Sequence, residues 1–101
     1  MRRGFVYLLA SYKRGTIYCG MTSDLPSRLH DHHMKIDPTC FSALHDATRL
    51  VWFDDFDLIV DAIQREKTMK GWPRQWKINL IERTNPEWLP LHPVTGEFQR
   101  V

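Results

Sequence analysis

Between residues 16 and 33 the chain reads TIYCGMTSDLPSRLHDHH, which puts Tyr18 and Gly20 in a β-prone run and Arg28 and His32 in the helix-forming run after it. Arg28 and His32 are four residues apart, one helical turn, and so share a helix flank. A guanidinium there can grip a phosphate through two parallel hydrogen bonds, and an imidazole can donate, accept or relay a proton near neutral pH. Helical spacing does not rank His32 above His33, and an isolated histidine is more often a solvated surface group than a catalyst. Side chains alternate along a strand, so Tyr18 shares its face with Thr16 and with the bare patch over Gly20, which leaves room for a ligand. The plainer reading of Tyr18 and Tyr7 is that both are amphipathic residues at the edge of a core.

A carboxylate completes the candidates. On a helical wheel Leu58, Ile59, Ala62, Ile63 and Met69 fall on one stripe, and Glu66 lies in its middle. An ionised carboxylate on a buried face must meet a cation, a metal or a water-filled cleft. A structural salt bridge to a nearby Arg or Lys answers the same need.

The segment KTMKGWPRQWK (67–77) gathers Lys67, Lys70, Arg74 and Lys77 around Trp72 and Trp76. Cations suit backbone phosphates, and indoles offer faces for unpaired bases, although at least one of the two tryptophans is expected in the core. Cys19, Cys40, His30, His32, His33 and His45 could in principle ligate zinc. No pair of them has finger-like spacing, so a zinc protein is a minor alternative.

These groups need a scaffold. Apolar or β-branched runs at 5–9 and 16–19 flank SYKRG, which predicts an antiparallel hairpin. Ser23 or Asp24 caps a first helix, with Pro26 in its opening turn and its end near Met34. Residues 35–48 show no period and contain Asp-Pro, so they read mostly as loop. RLVWF (49–53) is a third strand. Asp54 to Asp57 offer caps for a second helix to about Lys70, and GWP (71–73) separates it from a third over about 74–83. The order β-β-α-β-α-α predicts an α+β fold, a small three-stranded antiparallel sheet flanked by helices, over residues 1–84. The proline-containing tail, 85–101, is expected to pack on that domain or to be partly mobile.

Bulk properties fit this reading. At 101 residues with 43% hydrophobic and 26% charged, the chain suits one folded domain, and its four Trp, five Phe and three Tyr supply much of a modest core. A net charge of +2 does not by itself announce a nucleic-acid binder. Two cysteines without a signal peptide suggest reduced thiols and a cytoplasmic protein. FVYLLA (5–10) is too short to cross a membrane.

Taken together, VYLL (6–9), IYCG (17–20), SDLPSRLHDH (23–32) and AIQREKTMKGW (62–72) resemble the GIY-YIG nuclease superfamily, in particular its short stand-alone bacterial members. Phe5-Val6-Tyr7 stands for the first half-motif and Tyr18-Cys19-Gly20 for the second. The resemblance, over roughly residues 4–84, implies catalytic roles for Tyr7, Tyr18, Arg28, His32 and Glu66. It thereby selects His32 over His33. Gly20 and Asn79 would support the site. Where some relatives carry a lysine after the second half-motif, this chain has Met21.

The chemistry implied by the resemblance is metal-dependent hydrolysis of DNA phosphodiester bonds, with Mg²⁺ or Mn²⁺ on Glu66 and water and phosphate oxygens filling the remaining positions. Tyr7 or Tyr18 would take a proton from the attacking water. A free phenol with a pKa of about 10 needs electrostatic help for that task. Lys67, Lys70, Arg74 and Lys77 would bind the nucleic acid. Low sequence specificity is expected, with single-stranded DNA slightly favoured. The alternative is a non-catalytic nucleic-acid-binding module of the same fold.

Overall fold

The computed structural model describes residues 3–34 and 47–98, with residues 32–34 as backbone only. Its strands are β1 (Gly4–Ala10), β2 (Ile17–Thr22) and β3 (Arg49–Phe56), and its helices α1 (Leu25–Met34), α2 (Ile59–Lys70) and α3 (Arg74–Thr84). Among the described residues this is the expected α+β order, β-β-α-β-α-α. The sheet is antiparallel in the order β2-β1-β3. Most of the 35–48 loop and the sequence beyond residue 98 lie outside the described residues.

β1 is central because both of its faces are covered, and its sequence GFVYLLA carries no charge. Val6, Leu8 and Ala10 join Cys19, Val51, Ala62, Met69, Ile78, Ile81 and Trp88 in one apolar cluster. Tyr7 and Leu9 point the other way, into a second cluster with Leu25 and Leu29 of α1, Ala47 and Leu50. The sheet therefore separates α2 and α3 on one face from α1 on the other. Gly4 lets α2 come close, since a Cβ there would lie 2.6 Å from that of Ala62.

Three details depart from the sequence reading. β3 runs on to Phe56, because Asp54 and Asp55 pair with Val6 and Phe5 of β1 and are thus not free to cap a helix. Arg3 also forms an ion pair with Asp55. Leu58 is the N-cap of α2, without a side-chain cap bond, and Asp61 supplies the negative charge of the first turn. Ile63, expected on the buried stripe, is 37% exposed, because the contact line of α2 runs through Ala62 and Met69.

The β1–β2 loop is fastened from outside. Arg14 takes the left-handed conformation at φ 57°. Its guanidinium donates to both carboxylate oxygens of Glu82 at 2.9 Å. Lys13 reaches Glu87 at 3.1 Å, and Arg74 Nη2 donates to the carbonyl oxygens of Arg14 and Gly15 at 2.6 Å. The tail is anchored as far as residue 98 by buried Asn85 and Trp88 and by the Leu91–Phe98 bridge. Leu91 also donates its N–H to the Leu50 carbonyl oxygen at 2.8 Å. No helix among the described residues is long and apolar enough to cross a membrane.

Candidate active site

Tyr7 and Gly20 are directly opposite in the β1–β2 register. Tyr7 lies across that glycine: a Cβ at residue 20 would meet the phenol Oη at 2.5 Å and Cζ at 2.6 Å. The open patch expected to receive a ligand is occupied by the protein's own phenol. Tyr18, two residues before Gly20, is Tyr7's diagonal neighbour on the same face, and the rings stack with centroids 6.2 Å apart and planes within 9°. Tyr7 is 1% exposed, while Tyr18 is only half-buried.

Arg28 is delivered to this pair by a defined helix start. The Thr22 hydroxyl accepts the Asp24 N–H at 3.1 Å, and Asp24 Oδ1 accepts the Ser27 N–H at 3.3 Å. Asp24 is thus the cap, and Leu25 and Leu29 seat the helix against the sheet. The Arg28 guanidinium then donates to the phenol oxygens of Tyr7 and Tyr18. Burial works against its charge, but the hydrogen bonds and charge interactions with Tyr7 and then Tyr18 outweigh that cost and raise its pKa. Asp31 lies at the outer limit of an ion pair with it, at 4.0 Å. His32 belongs to α1 one turn beyond Arg28, and its side chain lies outside the described residues.

Glu66 comes up on the other side of β2. It lies between Ala62 and Met69 on α2 with its side chain 19% exposed, and Lys70 Nζ is 3.6 Å from Oε1. Its charge is felt at Cys19, the neighbour of Tyr18 that points to the opposite sheet face. Burial first, and then Glu66, push the Cys19 thiol up to about 11 against the opposing pull of Lys77 and Lys70. Ile17, Tyr18, Cys19, Lys70 and Lys77 line a cleft of about 270 Å³ at this edge. The structure therefore joins Tyr7, Tyr18, Gly20 and Arg28 in one cluster, with Glu66 held beside the strand that carries Tyr18.

A single half-buried carboxylate with a loose ammonium partner fits a hard divalent cation that keeps most of its positions for water and phosphate. Among the described residues no three His, Cys, Asp or Glu side chains form a metal cage. The side chains of His32 and His33, and all of Cys40 and His45, fall outside that statement.

The other expected site residues are dispersed. Lys67 is exposed on α2, whereas Arg74 is bound to the hairpin carbonyls. Asn79 faces away from the tyrosines' sheet face, in a pocket with Trp72 and Trp76, and its Oδ1 accepts from Gln75 at 2.9 Å.

A model of the GIY-YIG catalytic domain matches residues 3–79. The chain belongs to the GIY-YIG family. GIY-YIG domains are generally nucleases and generally use divalent metal ions, so the family suggests a nuclease or nucleic-acid-related function with DNA as substrate. Among solved structures, the chain is similar to the UPF0213 protein BH0048 from Bacillus halodurans, determined by solution NMR. The two are 25% identical over 82% of this chain and 86% of that chain, with a TM-score of 0.51. No curated protein matches the chain.

The GIY-YIG half-motifs thus account for the stacked tyrosines, but not for what steadies them. Thr22 was not singled out in the sequence, although a hydroxyl two residues before the Asp24 cap is a readable signal. Asn85 was also missed. Its Nδ2 donates to the Val51 and Leu89 carbonyl oxygens at 3.1 and 2.8 Å, and its Oδ1 accepts the Leu89 N–H at 2.9 Å. Nothing in local spacing reveals a partner 34 residues away.

Proposed function

We propose that this GIY-YIG protein is a metal-dependent DNA endonuclease of low sequence specificity that prefers single-stranded DNA. The observation that carries the reading is the stacked Tyr7–Tyr18 pair hydrogen-bonded to one guanidinium, Arg28.

Glu66 would hold a divalent cation, Mg²⁺ or Mn²⁺, which supplies positive charge at the scissile phosphate and acidifies water. Arg28 binds the phosphoryl oxygens and stabilises the charge that builds on them during attack. Either phenol of the pair accepts the proton of the attacking water, and the other holds it in place. His32, one turn along α1, orients the water or the phosphate. Lys67, Lys70 and Lys77 bind flanking phosphates, with Lys70 and Lys77 lining the cleft beside Tyr18. Asn79 contributes to nucleic-acid contact from its own pocket.

The test is cleavage of matched single-stranded, double-stranded and branched DNA with Mg²⁺ or Mn²⁺, repeated with chelator. Metal-dependent cutting that is fastest on the single strand supports the reading. Binding without cutting of any form would replace it with a non-catalytic DNA-binding module.

A further inference from the structure

A second concave site lies between α2 and α3, with chemistry unlike that of the tyrosine cluster. Its volume is about 300 Å³, and Arg65, Trp72, Trp76, Asn79, Leu80 and Arg83 line it. Trp76 is 55% exposed, an unusual position for the largest apolar side chain. Trp72 meets it in a T-shaped contact, with ring centroids 5.9 Å apart and planes at 67°. With more than half of its surface exposed, Trp76 keeps open ring area beyond that contact. Arg65 covers the Trp72 ring at 4.9 Å, so that indole already has a cation on it.

The polar groups on the rim are donors. Arg65 and Arg83 bring two positive charges and no acidic residue lines the pocket. Asn79 Oδ1 is engaged by Gln75, so the amide group it has left to offer a ligand is its Nδ2 donor. An exposed indole face, donor groups and net positive charge select a flat, acceptor-bearing, anionic ligand. At about 300 Å³ the pocket is at the small end of ligand sites, the right scale for a single base.

We propose that this pocket binds one unpaired nucleobase of a DNA strand, stacked on Trp76, with Arg83 and Asn79 at its edge and Arg65 or Arg83 on the adjoining phosphate. The assignment rests on the nucleic-acid reading above and deepens it, because only a strand with unpaired bases can offer a ring to Trp76. In a duplex that face is covered by stacking on the neighbouring base pairs and the base edge is taken by its pairing partner, so the pocket discriminates single strands from duplex. Lys77, next to Trp76 on α3, lines the cleft beside Tyr18, which places the two sites on neighbouring sides of one helix.

The experiment is fluorescence anisotropy of a labelled twelve-nucleotide thymidine strand, an abasic strand of equal length and a matched duplex, in chelator so that no cutting occurs. The natural protein is expected to favour the thymidine strand over both others. Trp76→Ala is expected to weaken thymidine-strand binding by about tenfold, the effect of losing one stacked base, and to leave abasic and duplex binding unchanged. Trp76→Phe, which keeps a ring, should retain most of the preference, and thermal unfolding of both variants establishes that they fold. Equal binding of thymidine and abasic strands by the natural protein, or an unchanged preference in Trp76→Ala, overturns the pocket but leaves the nuclease reading intact. Failure of the natural protein to bind any of the three DNAs overturns both.

Discussion

The Tyr7 hydroxyl occupies the space that a side chain at Gly20 would need, 2.5 Å from where a Cβ would be. The phenol is pinned by the absence of an atom on the facing strand. Tyr18 stacks on it from the same strand as Gly20, and Arg28 bonds both rings, so three side chains are positioned by one bare backbone position.

Gly20→Ala therefore displaces Tyr7. Because the neighbour is a buried ring, the expected cost is about 1 to 3 kcal/mol of stability, typical of overpacking, read from denaturant unfolding. Cleavage should fall by a larger factor than this stability loss implies at temperatures where the variant is folded. Unchanged kcat/KM would show that the position of Tyr7 does not matter.

Arg28 donates to two phenols at once, a geometry that an ammonium cannot copy. Arg28→Lys is expected to lower kcat by about a hundredfold, the scale of losing one donor to developing charge, with little change in the melting temperature. Wild-type rates in Arg28→Lys would remove the guanidinium from the mechanism.

Glu82 carries a pH prediction. Its carboxyl is held down to about 2 by hydrogen bonds from Arg14 and then Trp88 Nε1, from an ordinary value of 4.5. Folded-state pKa is below the unfolded value, so this contribution is fully present above 4.5 and is lost as pH falls towards 2. The melting temperature of the natural protein should drop more steeply between pH 5 and pH 2 than that of Glu82→Gln, measured by circular dichroism. Parallel curves would deny Glu82 its role in fastening the loop.

Cys19 is free, buried and raised to about 11, so it is protonated and inert at neutral pH. Alkylation located by peptide mass spectrometry should spare Cys19 in the folded protein at pH 8 and reach it after denaturation. Rapid native labelling at Cys19 would contradict its placement on the buried face of β2.

Asn85 brackets the β3 backbone and the tail through three hydrogen bonds. Asn85→Ala leaves the buried Val51 carbonyl and the part-buried Leu89 carbonyl without this donor and should cost about 2 to 3 kcal/mol in chemical denaturation. A loss below a few tenths would show that water replaces the amide.

How far the sequence could be read depended on the range of each interaction. The order of elements along the chain, the ends of the helices near Met34 and Lys70, and the Ala62–Glu66–Met69 line were legible because period and capping act within a turn or two. The extra strand residues Asp54 and Asp55 were not, since their acidity suggests helix caps until β1 is there to pair with them. Arg74 looked like a phosphate ligand for the same reason: its hairpin carbonyl partners lie 59 and 60 residues away. Gly20 was recognised as open space, but only the β1–β2 register says that Tyr7 fills it.

The most direct test of the central claim compares the natural protein with Glu66→Ala on a single-stranded oligonucleotide, reading cleavage with Mn²⁺ and binding with chelator. The expected result is metal-dependent cutting by the natural protein, its loss in Glu66→Ala, and binding preserved in both. Undiminished cutting by Glu66→Ala would contradict the claim that this carboxylate holds the catalytic cation.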